Sequence, residues 1–586
     1  MTRREDARGA GAVIVALVAL ALARAVTSVV PSMWAWGLNV QRFLDPLPAA
    51  LTWITMAALI VPALGRRANP ALERAGDRLF AGGVWTWLAA LAAAGLVWAL
   101  PDRTWLTGDF LLRQGAAETG ALPGIFTQSL PLERWLNQSL PLALGRVLRI
   151  EPALVTRALE AAAAAALGAT ALALARECRL GGSAGLVAAG SVLFGGALCF
   201  FTGLGKPAAL LCVLTATTLL AALRLARTGR GGAWLGGSVA IALLLHRSAL
   251  ALLPLWIAAL IASMRAPRQG RPRLAPAVAL PLVALVAMAP RLWRILMTFD
   301  LPRHVQPGGT GVLALAFAPL HLVDLVNLVL FLAPALVILA ALAAAGPHAE
   351  RDPADRARWL PGLLALTFVP LLLFVHPLQG VFRDLEVFAP AGIACAAVAG
   401  LAFGAALQRG RLPSWLAPAL LAAVTMPALQ WLLHFHDPVR GDARARALAL
   451  EAPVRTEVER ARLWDVLAYR AFRERQWSRA VEACEQTVRL APHPRAITML
   501  AIARTYTGDY RGAESLYVAL TSRTPDDPLV WFGLGGAALR TGDSAQVSRA
   551  RAVLDGYAPD SREARLIRRH LRMFPEVWPT RAGSGP

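Results

Sequence analysis

Runs of about twenty apolar residues recur along the first three quarters of the chain and are separated by short polar stretches. A bilayer core about 30 Å thick is crossed by an α-helix of roughly 20 apolar residues. The pattern therefore predicts an all-α, polytopic transmembrane helix bundle with about 13 spans. The predicted spans lie at about 10–30, 47–64, 80–100, 153–175, 181–201, 206–226, 232–247, 249–264, 274–290, 325–345, 359–376, 387–407 and 412–433.

Residues 438–586 follow a different pattern, in which small and aromatic residues recur every 33–34 positions. Gly-Asp pairs stand at the same offset in two of the repeats, at 508–509 and 542–543. The pattern resembles the tetratricopeptide repeat, which implies an α-solenoid whose concave face takes a protein or glycan partner. The units span about 461–493, 494–527 and 528–561 and close at Pro492, Pro525 and Pro559.

Charge and composition narrow the class of protein. Hydrophobic residues make up 56% of the chain and charged residues 16%, which excludes a soluble multidomain protein and a disordered chain. The net charge is +22, but most of the basic excess lies in short loops, as expected of arginines retained on the cytoplasmic side. We therefore expect a lipid bilayer and no nucleic acid as partner. With a cytoplasmic N-terminus and an odd number of spans, the repeats lie outside.

The topology divides the chain into three parts. Residues 1–79 hold two additional spans and a cytoplasmic loop, 80–437 form the main membrane domain, and 438–586 form the extracytoplasmic repeat domain. The main domain has two long outer loops, 101–152 and 291–324. Eight basic residues in these loops run against the topology rule, which points to an anionic ligand at the outer surface. They are Arg103, Arg113, Arg134, Arg146, Arg149, Arg291, Arg294 and Arg303.

Asp109 is the first candidate for chemistry, because it lies at the outer end of the third span and precedes an amphipathic stretch. A carboxylate at the membrane boundary is little screened by water and can act as a general base on an incoming hydroxyl. The alternative is structural. Gly108-Asp109 stands before an apolar run, which is also the pattern of a helix N-cap.

Several short segments, in their order along the topology, resemble the GT-C class of polyprenyl-phosphate-sugar glycosyltransferases over roughly residues 80–410. The closer likeness is to bacterial proteins akin to the protein O-mannosyltransferases, some of which end in tetratricopeptide repeats. The segments are Gly108 to Phe110, Phe201 to Pro207, Leu245 to Ser248, His321 to Asn327 and Phe382 to Pro390. Two features differ from the family pattern: the next acid after Asp109 is Glu118, and Lys206 stands where an acid is common.

The resemblance implies a bacterial inner-membrane enzyme that moves a sugar from a polyprenyl-phosphate donor to an extracytoplasmic acceptor. It implies that Asp109 deprotonates the acceptor hydroxyl and that neither a tightly bound cofactor nor a divalent metal is needed. Basic residues on the same side are expected to hold the lipid phosphate: Arg113, Lys206, His246, Arg247, Arg291, Arg294 and Arg383. The supporting residues are Glu118, His321, Asp324, Asp384 and Glu386.

Each of these candidates also has a structural interpretation. Lys206 is expected either to snorkel to the headgroups or to contact phosphate, and His246-Arg247 is either a polar turn or a phosphate contact. The crowded loop 383–386 is either an ion-paired turn or a wall of the site. His321 and Asp324 share one helical face with Asn327, which favours packing inside the bundle.

Two other functions stay open on the sequence alone. The chain is alternatively a non-enzymatic membrane anchor whose repeats hold a partner complex. It is alternatively similar to the O-antigen ligases and polymerases, some of which also end in such repeats. Those enzymes place their largest outer loop late in the chain, whereas the largest outer loop predicted here is the first.

Overall fold

The computed structural model describes residues 2–107, 127–264, 274–301, 311–345, 357–377 and 379–573. All regular elements in these ranges are helices, which confirms the all-α class. The chain forms two compact units, Met1–Gly441 and Asp442–Pro586. The division falls within the helix Pro438–Leu450, close to the predicted domain boundary at 437/438.

Seven helices in the described ranges of the first unit are long and apolar enough to cross a bilayer, so the unit has the composition of a membrane domain. They are Arg8–Val29, Pro152–Glu177, Ala208–Thr228, Arg247–Met264, Ala275–Asp300, Leu385–Gln408 and Leu416–His436. Two bent helix pairs raise the number to nine if each is one span. Shorter apolar helices are Val84–Ala99, Gly182–Leu193, Gly232–Leu245 and Leu360–Phe374. Further helices are Pro131–Arg134, Leu140–Leu148 and Val312–Ala316.

Two of the predicted spans are bent rather than straight. Pro46–Leu59 meets Pro62–Phe80 at 96°, and Pro319–Leu332 meets Pro334–Ala345 at 99°. Proline has no N–H to donate, and its ring disfavours a helical conformation in the residue before it. Val61 and Ala333 accordingly leave the helical region, and a new helix starts at the following proline. The apolar runs at 47–64 and 325–345 therefore contain a helix break each.

The second arm of the first bend is a helix where the sequence predicts a cytoplasmic loop. Pro62–Phe80 packs with Gly76 against Gly182, so closely that a Cβ on Gly76 would lie 2.1 Å from the Gly182 carbonyl oxygen. The Glu73 carboxylate accepts the Ser183 N–H at 2.9 Å. The exposed side of the helix carries Arg66, Arg67, Arg74 and Arg78.

The N-terminal region is packed into the same unit as the rest of the bundle. Asp324 accepts a hydrogen bond from the indole N–H of Trp36 at 2.8 Å. Asn327 accepts the N–H of Gly37 at 2.8 Å and donates to the carbonyl of Trp34 at 2.8 Å. The polar face predicted on Pro319–Leu332 therefore binds the segment 34–37 inside the bundle.

The second unit is a row of helices in which the first six members pack consecutively and the last, Arg562–Met573, packs on Pro528–Thr541. Gly508 and Gly542 end their helices with φ values of 86° and 82°, which glycine adopts without strain. Asp509 and Asp543 then cap the next helices by accepting the N–H groups of residues 512 and 546. The helices are Glu457–Arg473, Trp477–Leu490, Pro494–Thr507, Tyr510–Arg523, Pro528–Thr541, Ser544–Leu554 and Arg562–Met573.

Candidate functional site

A cavity of about 150 Å³ lies in the first unit, where the beginnings of several helices meet. Five of the site residues predicted from the sequence line this cavity, although they are far apart in the chain. They are Lys206, His246, Arg247, Asp384 and Glu386. Its other lining residues are Gln128, Ser129, Glu133, Pro207, Ala208, Leu211, Ser248, Phe299, Gln379 and Val387. The cavity thus combines cations, carboxylates and uncharged polar groups with an apolar wall.

Lys206 lies at the end of a loop whose backbone is hydrogen-bonded to Glu160. The Glu160 carboxylate accepts the backbone N–H groups of Gly203, Leu204 and Gly205 at 2.6, 2.8 and 2.7 Å. Gly203 and Gly205 have φ values of 105° and 68°, a region that favours glycine. Hydrogen bonds from backbone N–H groups to a carboxylate are stronger than those between neutral groups, so this contact orders the loop that carries Lys206.

Lys206 forms an ion pair with Glu386 inside the protein. The two side chains are 9% and 3% exposed. Lys206 therefore lies against an acid from a distant loop rather than along the surface of the bundle. Asp384, two residues before Glu386, accepts a hydrogen bond from Gln379 at 2.8 Å.

His246 and Arg247 reach the cavity from the break between two helices. The Nδ1 atom of His246 lies 2.7 Å from the Ser248 hydroxyl oxygen and 3.2 Å from the Ser248 backbone nitrogen, so both contacts hold the ring in place. The Nε atom of Arg247 lies 3.1 Å from Asp300 Oδ2, and its guanidinium stands 5.6 Å from the centre of the Phe299 ring. Both side chains are thus oriented by neighbouring groups.

The other predicted cations take different positions. Arg383 is buried and donates from Nε to the Leu106 carbonyl at 3.1 Å, and Arg291 donates to the Ser129 carbonyl at 2.5 Å. These two arginines support segments next to the cavity and do not line it. Arg294 is exposed near the end of the helix Ala275–Ile295 and also lies outside the lining.

Asp109, Arg113 and Glu118 lie outside the described residues, as does the rest of 108–126. The described residues on either side of this segment are both close to the site. Leu106 accepts the hydrogen bond from Arg383, the neighbour of Asp384 in sequence. On the other side, Gln128 and Ser129 line the cavity themselves.

His321 and Asp324 are not part of the cavity lining. The Nε2 atom of His321 is 3.2 Å from the Leu373 carbonyl oxygen, and its ring centre is 3.7 Å from that of His376. Asp324 binds Trp36, as described above. Both residues therefore contact the interior of the bundle.

Sequence reasoning did not select Gln128, Glu133 or Glu160. Glu133 is buried in the cavity wall, and Glu160 is a buried acid in a span of alanines and leucines. An ionisable residue inside an apolar span is a signal of a buried contact, so Glu160 was detectable. Gln128 carries no such signal. Within the described ranges, no group of three His, Cys, Asp or Glu side chains is placed to hold a metal ion.

No family model matches the chain, and no curated protein or solved structure matches it. The cavity and its lining residues are therefore the structural basis for a function.

Proposed function

We propose that this protein is a GT-C-like membrane glycosyltransferase that moves a sugar from a polyprenyl-phosphate donor to an extracytoplasmic acceptor. The observation that carries the proposal is the cavity itself. Lys206, His246, Arg247, Asp384 and Glu386 converge on it from three separate segments of an apolar helical unit. A polar cavity with positioned charges in such a unit is the arrangement that a lipid-linked polar substrate requires.

In the proposed reaction the bond between the sugar's anomeric carbon and the phosphate oxygen breaks, and the lipid phosphate leaves with the electron pair. The acceptor oxygen forms the new bond to that carbon, and its proton passes to the carboxylate of Asp109. Arg291 and Arg383, which lie beside the cavity, supply positive charge that offsets the charge developing on the phosphate. The proposed reaction requires neither a metal nor a bound cofactor.

The proposed architecture has thirteen spans followed by a tetratricopeptide-repeat solenoid. Its support is that each predicted apolar run coincides with a helix, a bent pair of helices or a shorter apolar helix. In the second unit, three successive helix pairs correspond to the three repeats, and Gly-Asp turns join the helices of the second and third pairs. We propose that this solenoid binds the acceptor or a protein or glycan partner.

We also propose that the cavity faces outward and that the protein resides in a bacterial inner membrane. Lys206 precedes the helix Ala208–Thr228, which is about 31 Å long, close to the thickness of a bilayer core. At the far end of this helix, Arg224 pairs with Glu177 at 3.0 Å, and Arg227 donates to the Glu177 carbonyl at 2.7 Å. Arginines concentrate on the cytoplasmic side of membrane proteins, which gives the helix its direction.

A reporter active only outside the cytoplasm tests this orientation. Fused after Gly441, the reporter is expected to be active, and fused after Arg230 it is expected to be inactive. The opposite pattern would contradict the proposed orientation.

Sugar transfer by the full chain tests the proposed reaction. Membrane vesicles that contain the protein receive a polyprenyl-phosphate sugar with a labelled sugar, and the label leaving the lipid fraction is measured. Asp109→Asn is expected to abolish transfer while the protein still inserts. Asp77→Asn, an exposed acid on the Arg-rich helix, is the matched control and is expected to retain full transfer. Full transfer by the Asp109 variant would overturn the base assignment. No transfer by the unchanged chain, together with a cellular phenotype that depends only on residues 442–586, would favour the membrane-anchored scaffold.

A further inference from the structure

Three polar atoms in the cavity wall have no hydrogen-bond partner among the described residues. They are Glu386 Oε2, Gln128 Oε1 and Ser129 Oγ, and all three are buried. Buried polar groups in native proteins are almost always paired with protein groups or with ordered water, so the cavity presents these atoms to water or to a polar ligand that replaces it. The other oxygen of Glu386 pairs with Lys206, which holds the carboxylate in place.

The chemistry of these atoms identifies what the ligand must supply. A carboxylate oxygen and an amide oxygen only accept hydrogen bonds, so each requires a donor. An ionised phosphodiester has no donor to give, and it cannot satisfy Glu386 Oε2 or Gln128 Oε1. Hydroxyl and amino groups can, and the Ser129 hydroxyl can donate to or accept from a hydroxyl. These atoms therefore fit the sugar of a lipid-linked substrate and not its phosphate.

The charges around the cavity add a second constraint. The wall contains three carboxylates, Glu133, Asp384 and Glu386. Its two permanent cations already face acids, since Lys206 pairs with Glu386 and Arg247 pairs with Asp300. A ring that carries its own ionised carboxylate would place an acceptor without a proton beside Glu386 Oε2 and Gln128 Oε1, at an electrostatic cost that grows as water is excluded.

The enclosed part of the cavity has room for about one six-membered ring. A cavity of about 150 Å³ in another protein holds one benzene molecule, a six-membered ring. The volume here is the same, about 150 Å³. Phe299 supplies an apolar wall against which the C–H face of such a ring can lie.

We propose that the cavity binds one hexopyranose ring that carries hydroxyl or amino groups and no carboxylate. One ring hydroxyl donates to Glu386 Oε2 and another to Gln128 Oε1. The inference rests on the proposed function in one respect, that the ring belongs to the lipid-linked donor. Its source could also be a glycan acceptor, which presents the same chemistry.

Binding to the full chain in lipid nanodiscs tests the proposal. The probes are polyprenyl phosphate alone, the same lipid with a neutral hexose, the same lipid with a hexuronic acid, and the two sugars as methyl glycosides. The neutral hexose is expected to tighten binding of the lipid by at least about tenfold, the gain given by one hydrogen bond to a charged acceptor. The hexuronic acid is expected to give no gain.

Two variants separate recognition of the ring from an effect on folding. Glu386→Gln removes the charged acceptor and is expected to abolish the hexose-dependent gain, but it also changes the pair with Lys206. Gln128→Met leaves every charge in place and is expected to reduce the gain. Glu151→Gln, an exposed acid outside the cavity, is the matched control and is expected to bind as the unchanged chain does.

The outcomes distinguish this inference from the proposed function. Equal binding of the hexose and hexuronic acid lipids, or an unchanged gain in both cavity variants, would overturn the inference while Asp109-dependent transfer still supports the enzyme. Binding of the neutral methyl glycoside without binding of the lipid-linked hexose would support the ring site and assign it to an acceptor. Binding of none of the sugars, free or lipid-linked, would overturn the inference.

Discussion

Lys206 and Glu386 are a buried pair whose members depend on each other. Removing one charge leaves the other buried without its partner, which typically lowers the free energy of unfolding by about 3–5 kcal/mol. Lys206→Met is therefore expected to lower the melting temperature of the detergent-solubilised protein. The double variant Lys206→Met, Glu386→Met is expected to recover part of the loss, because no unpaired charge remains. A single variant as stable as the unchanged chain would contradict the buried pair.

His570 gives the second unit a dependence on pH. It is buried with its ring centre 6.1 Å from that of Phe532, and burial lowers the pKa of its imidazole to about 4. The unfolded chain binds the proton near pH 6.5, so the contribution of neutral His570 is full above that pH and is lost as the pH falls toward 4. Between pH 7 and pH 5 the free energy of unfolding of this unit is expected to fall by about 2 kcal/mol.

Denaturant unfolding of the full chain, followed through signals from the second unit, measures this effect. His570→Phe is the comparison, since it keeps an aromatic ring and removes the titrating group. The fall between pH 7 and pH 5 is expected to be smaller in the variant by about 2 kcal/mol. The same pH dependence in both proteins would show that His570 is not buried as described.

At the scale of an element, the helix Pro62–Phe80 depends on a close backbone contact at Gly76. An added Cβ would lie 2.1 Å from the Gly182 carbonyl oxygen, so Gly76→Ala is expected to lower stability by about 1–3 kcal/mol. Gly95→Ala is the control, because Gly95 is also within a helix and a Cβ there meets nothing within 4 Å. The control is expected to be neutral or more stable by up to about 1 kcal/mol, and equal melting temperatures for both variants would contradict the contact.

Most helices were predictable from the sequence because their cause is local. Apolar runs of sufficient length form helices. At the Gly-Asp pairs 508–509 and 542–543, the glycine adopts the positive φ that ends one helix and the aspartate caps the next helix. The bends at Pro62 and Pro334 were missed because average hydropathy does not record a missing N–H donor. The segment Pro62–Phe80 was predicted to be a loop because it contains several arginines. Its polar and apolar residues nevertheless lie on opposite faces at helical spacing, which is typical of an amphipathic helix.

The site was predictable only in part, and for a different reason. Lys206, Arg247 and Glu386 are charged residues at the predicted outer ends of apolar spans, and this position made them candidates from the sequence. Which of these side chains contact one another depends on the tertiary structure. Gln128 is uncharged, so the sequence does not distinguish it from other polar residues. Its position in the cavity wall depends on how the segment 127–134 packs on other helices. Asp109, Arg113 and Glu118 stay predictions because they lie outside the described residues.

At the scale of the whole molecule, the two units have separate tasks in the proposed mechanism. Every residue that lines the cavity belongs to the first unit. A chain shortened to residues 1–441 is therefore expected to bind the lipid-linked hexose as the full chain does, while transfer to the acceptor falls if the repeats present it. Binding in nanodiscs and transfer in vesicles, measured on the same shortened chain, separate these two tasks. Loss of lipid binding on deletion of 442–586 would contradict the assignment of the site to the first unit.

The most direct measurement of the central claim is covalent mapping of the site with a photoreactive polyprenyl-phosphate sugar. The full chain in nanodiscs is irradiated with the probe attached through its sugar, and the modified peptides are identified by mass spectrometry. We predict labelling within 127–134, 206–211, 246–248 or 379–387. An excess of unlabelled lipid-linked sugar is expected to abolish this labelling. Labelling confined to other segments, or labelling that the excess does not reduce, would contradict the claim that this cavity is the substrate site.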